Sequence, residues 1–132
     1  MESTASLLQR RIGWTLTGLV GVFMVLASAS GKFIVPAPPM VAETSVKLGW
    51  PLAGYPALGA LEVGVTALSL VPRTSFVGLI LLTGYLGGAC AAHVRIGDAS
   101  WFLPVVLGVL AWVGWGLRHP DRLRAALGRG VA

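Results

Sequence analysis

Charge is scarce in this sequence. Only 11% of its 132 residues are charged, against roughly 25% in a soluble domain, while 55% are hydrophobic and the mean hydropathy is +0.80. Such a chain is read as having a bilayer for its solvent, and its length leaves room for one membrane domain, 1–132, and no second. Cysteine is scarcer still. The lone Cys90 excludes an intramolecular disulfide, a CxxC redox pair and a cysteine-built metal site within one chain. Also missing are a catalytic triad, a phosphate loop, an HExxH pattern, a haem ligand pair and a flavin motif. The expectation is therefore no autonomous enzyme, no catalytic residues and no metal. Acidic residues number five against ten basic ones, a net charge of +5. In a membrane chain that excess reflects topology and anionic lipid headgroups. Nucleic acid is not expected, because no basic face is interleaved with exposed aromatics.

What is present is four long apolar runs. Ile12 to Gly31 carries no ionisable side chain, about the ~20 residues that cross ~30 Å of hydrocarbon. It shares its charge and its Ala27-Ser28-Ala29 outline with a cleaved signal, but the run is long for a signal core. Further spans are predicted over 54–72, 75–93 and 101–117, after a polar leader in which Ser3 and Thr4 are candidate helix caps. Pro36, Pro38 and Pro39 break the first helix, and Met40 to Leu48 reads as a short interfacial helix. The tail 118–132 reads as a basic, surface-lying helix. The predicted fold class is all-α: a polytopic membrane protein, an antiparallel bundle of four transmembrane helices with a short interfacial segment between helices 1 and 2.

Four spans put both termini on one side, together with Arg10, Arg11, Arg73, Arg118, Arg122, Arg124 and Arg129, against Lys32, Lys47 and Arg95 on the other. The first side is expected to be cytoplasmic, in a bacterial cytoplasmic (inner) membrane.

Glu62 is the one ionisable group deep in a span, where a bare charge costs about 2.5–3.5 kcal/mol on insertion scales. It shares a helical face with Tyr55, Gly59, Thr66 and Ser69, so that face is expected to look inward. Lys32, Arg95 and His93 are its candidate partners by topology, with Tyr55 above it on its own helix. Three readings follow: an ion pair that fixes helix registry, the polar end of a pocket for a small molecule or quinone headgroup, or a protonated Glu62 bonded to a neighbouring helix. Gly84, Gly87, Gly88, Ala91 and Arg95 fall in one sector of the third span. The small residues are expected to admit another helix closely, and Arg95 to end that face against Glu62. His93 lies nearly opposite and is the weakest member of the cluster, and Cys90 reads as a buried inert thiol.

With these residues in view, the chain resembles the DoxX-like family of small four-helix membrane proteins. The likeness is carried by Gly13-Trp14-Thr15-Leu16-Thr17-Gly18, Ser30-Gly31-Lys32-Phe33, Leu58-Gly59-Ala60-Leu61-Glu62, Pro72-Arg73-Thr74, and above all Leu82-Thr83-Gly84-Tyr85-Leu86-Gly87-Gly88-Ala89 with His93-Val94-Arg95. The resemblance implies four antiparallel helices and points to Lys32, Glu62, His93 and Arg95. For activity it implies several things, since members are linked to a thiosulfate–quinone oxidoreductase subunit, to membrane redox complexes and to receptor-assembly chaperones. The expectation taken from it is an accessory bundle that binds a lipophilic small molecule or a partner protein near its outer face. The alternatives are a quinone-interacting subunit of an oxidoreductase and a small oligomeric transporter. Its surroundings are expected to be membrane lipids, with a protein partner or a second copy of itself.

Overall fold

The computed structural model describes residues 4–128; Ser3, Arg129 and the remainder of the tail lie outside them. α1 runs Thr4–Val22, continues as a π-helical stretch Phe23–Ala29 and closes with a 3-10 turn Ser30–Lys32. α2 is Pro39–Leu48, α3 Tyr55–Leu70, α4 Ser75–Arg95, α5 Phe102–Arg118 and α6 Pro120–Ala126. Four of these elements are long and apolar enough to cross a membrane, over Ser6–Lys32, Leu52–Leu70, Ser75–Arg95 and Ala99–Arg118. The all-helical membrane architecture read from the sequence is the one observed.

The boundaries have local causes. Val71, ahead of Pro72, takes the extended backbone that a following proline favours, which ends α3. The turn to α4 is closed by Thr74, whose hydroxyl donates to Leu68 O at 2.9 Å. α2 starts on Pro39 in its first turn and ends at Gly49, whose φ of 69° allows the Trp50 N–H to reach back to Ser45 O. Ser45 and Leu48 are its buried residues, whereas Met40 and Val46 are exposed.

α1 packs on α5 and, through its π-helical stretch, on α3; α3 packs on α4, and α4 on α5. The core within this ring consists of Val20, Met24, Val65, Leu79, Leu82, Leu86, Leu107, Ala111 and Trp115. Because lipid tails are as apolar as leucine, close packing rather than expulsion from water must hold such helices together. α1 and α5 approach closely. A Cβ on Gly13 would lie 2.8 Å from Gly114 O, and one on Gly114 would lie 2.7 Å from Thr17 Cγ2. α3 and α4 meet more tightly still, where a Cβ on Gly78 would strike the backbone of Leu68 and Ser69.

The glycines expected to serve this purpose do not. A Cβ on Gly84, Gly87 or Gly88 would meet nothing within 4 Å, and these three and Ala91 are all exposed. Within one chain the small-residue sector of α4 therefore faces outward: Leu79, Leu82 and Leu86, on its other side, fill the core.

Candidate functional site

The polar face of α3 does turn inward, with Tyr55, Gly59, Glu62, Val65 and Thr66 buried. Glu62 is completely enclosed, at 0% exposure. Its Oε2 accepts from Lys32 Nζ at 2.7 Å and from the Tyr85 hydroxyl at 2.8 Å, which ties α3 to the end of the first span and to the middle of α4. Lys32 also donates to Ser28 O at 3.0 Å and to Ser28 Oγ at 3.1 Å, so its three N–H groups have three acceptors. Glu62 Oε1, Thr66 Oγ1 and the Tyr55 hydroxyl are buried without a hydrogen-bond partner among the described residues.

Local backbone geometry delivers Lys32 to this point. The π-helical stretch Phe23–Ala29 replaces i→i−4 bonding with i→i−5, which rotates everything after it relative to a regular α-helix. Ser30 Oγ returns a hydrogen bond to Leu26 O, a bond of the kind that bends helices. Before the π-helical stretch, the first span buries Gly13, Thr17, Val20 and Gly21, and within it Met24, while Trp14 is 43% exposed.

Arg95 is not in the cluster. It sits exposed in the last turn of α4 and makes no ion pair or hydrogen bond among the described residues, so the expected meeting of Arg95 with Glu62 is corrected to Lys32 with Glu62. Placing Arg95 on the outward small-residue sector explains this, because a residue sharing that face cannot also reach the interior. His93 is apart as well: its Nδ1 lies 2.8 Å from Asp98 Oδ2 in the loop beyond α4. The same carboxylate accepts from Ser100 N at 2.9 Å through Oδ1, and these bonds hold its pKa down at about 2. Tyr55 is buried on Glu62's face but does not bond to it.

Two participants escaped the sequence reading. Tyr85 was part of the glycine-rich motif, yet a tyrosine inside an apolar span needs a hydroxyl partner, and that need was a usable signal. Arg118 was assigned to the surface tail but is 7% exposed, inside the basic end of the bundle.

A second concavity lies between α4 and α5. This groove of about 530 Å³ is lined by Thr83, Leu86, Gly87 and Cys90 from α4 and by Pro104, Val105, Gly108, Val109, Trp112 and Val113 from α5. Cys90 is thus half-buried on a groove wall rather than sealed in the core. One polar link joins the two walls, from Trp112 Nε1 to Thr83 Oγ1 at 2.9 Å. Thr83 Oγ1 in turn donates to Leu79 O, so neither group presents a free proton.

A sequence profile of the DoxX-like family matches residues 15–114, which takes in the first span from Thr15, the whole Glu62 cluster and both walls of the groove. No curated protein and no solved structure matches the chain.

Proposed function

The chain belongs to the DoxX-like family of membrane proteins, and from that starting point we propose that it is a non-catalytic bundle which holds the hydrocarbon part of a lipophilic molecule in the groove between α4 and α5. The observation that carries this is the groove itself. Its lining is almost wholly apolar, Gly87 and Gly108 give it width, and apart from the weakly polar Cys90 thiol the hydrogen-bonding side chains on its walls, Thr83 and Trp112, are already engaged with each other. Such a surface suits an acyl or isoprenoid chain and offers nothing to a charged substrate. A quinone falls in this class through its tail, which keeps a quinone-interacting subunit as the alternative.

In this reading the Lys32–Glu62–Tyr85 cluster is a brace. It joins three spans through one enclosed carboxylate and leaves no oxygen open to a ligand from outside. The excess of arginine at the end that carries Arg10, Arg11, Arg73 and Arg122 supports a cytoplasmic location for both termini.

Purification in mild detergent followed by mass spectrometry of co-purified small molecules tests the proposal. Gly87→Leu places a side chain in the groove, starting from a Cβ that meets nothing within 4 Å. Wild type should retain a defined lipophile, Gly87→Leu about tenfold less of it, a loss of roughly 1.4 kcal/mol, and Gly84→Leu, off the groove, as much as wild type. Equal retention in all three would remove the groove from the proposal.

A further inference from the structure

The basic end of the bundle contains a buried cation that the proposed function does not use. Arg118 closes α5, yet its side chain is drawn in among α1, α3 and α5. Its guanidinium carbon lies 4.3 Å from the centre of the Trp14 ring, and Nη2 donates to Ser69 O in a long bond of 3.3 Å. No carboxylate pairs with it among the described residues, and its Nε and Nη1 are buried without an acceptor. Beside it is a cavity of about 10 Å³, whose lining includes Thr17, Ser69 and Arg118.

Three features together specify what fits there. The volume is about that of one water, and far too small for a headgroup. Arg118 can only donate. The hydroxyls of Thr17 and Ser69 have each directed their single proton to a carbonyl, Thr17 to Gly13 O at 3.0 Å and Ser69 to Thr66 O at 2.7 Å, and so have only lone pairs left to offer. The occupant must therefore accept from a cation and donate to hydroxyl oxygens. A halide could do the first but would be repelled by the lone pairs.

We propose that this cavity is a binding site for one ordered water, which accepts an N–H of Arg118 and donates to Thr17 Oγ1 and Ser69 Oγ, linking α5 to α1 and α3. The water gives the guanidinium an acceptor where none of the described residues supplies an acid. It makes the basic end a polar junction like the one Glu62 makes nearer the other end.

Crystals of the full chain grown from a lipid mesophase in bromide salt test this directly. A density peak within hydrogen-bond distance of an Arg118 nitrogen and of either hydroxyl, without anomalous scattering, is the expected result. A dry cavity overturns the proposal, and an anomalous bromide peak replaces it with an anion site. In detergent micelles, an Arg118 side-chain N–H should show magnetisation transfer to bound water that is lost in the double variant Thr17→Val, Ser69→Ala. Transfer that persists at full strength in that variant overturns the two hydroxyls as acceptors.

Discussion

Lys32 Nζ lies 2.7 Å from Glu62 Oε2, yet the two residues are unequally enclosed: the lysine side chain keeps 16% exposure and the carboxylate none. The lysine also retains Ser28 O and Oγ as acceptors, whereas among the described residues Glu62 has only Lys32 and Tyr85. The pair is therefore asymmetric, and removal of either partner should show it.

Lys32→Met strands a fully buried carboxylate and should cost about 3–5 kcal/mol. Glu62→Gln keeps an amide oxygen that can accept from Lys32 beside Ser28 O and Oγ, and leaves the lysine a route to solvent, so it should cost clearly less. The double variant Lys32→Met, Glu62→Gln should recover most of the loss. Thermal unfolding of the four proteins in one detergent completes a double-mutant cycle; additive losses would mean that the pair is not coupled.

Tyr85→Phe removes a hydrogen bond to a charged group and should cost about 1.5–3 kcal/mol. Arg95→Ala, at an exposed position with no partner among the described residues, should change stability by no more than about 0.5 kcal/mol. The same melts decide both, and a large Arg95 effect would restore it to the cluster.

Glycines on the two sides of the bundle should respond in opposite directions. Gly114→Ala pushes a methyl into Thr17 Cγ2 and Gly13 O, and should lose about 1–3 kcal/mol. Gly84→Ala and Gly88→Ala meet open space on an exposed helix face and should gain about 0.5–1 kcal/mol. Light scattering on the Gly84 and Gly88 variants reports in addition whether that face pairs two copies, through a change in mass.

Acid should weaken the junction of α5 with α6. Burial, then Arg118, Arg122 and Arg10, lowers the His119 pKa below its usual 6.5. The folded ring thus binds fewer protons than the unfolded one, so its contribution is complete above pH 6.5 and is lost as pH falls through the folded value. Asp98 behaves differently: with its pKa at about 2 instead of 3.8, its contribution persists above 3.8 and fades only as pH falls through about 2. Melting temperature should fall between about pH 7.5 and about pH 5 in wild type and in Asp98→Asn, and fall less in His119→Gln. An undiminished fall in His119→Gln would assign the effect to another group.

The sequence by itself determined the solvent, the number of spans and which face of α3 is interior, because apolar length and the cost of a buried carboxylate act locally and along one helix at a time. Tyr55, Gly59, Glu62 and Thr66 are buried as their spacing required. Partner choice was decided by tertiary structure. Lys32 and Arg95 were equivalent by topology, and what separated them was the π-helical stretch before Lys32 and the rotation of α4, which turned Leu79, Leu82 and Leu86 inward and Gly84, Gly88 and Arg95 outward. A helical wheel fixes which residues share a face, but where that face points is set by the neighbours packed against it. For the same reason Arg118, a tail residue by position, became a buried cation once Trp14 and Ser69 closed around it.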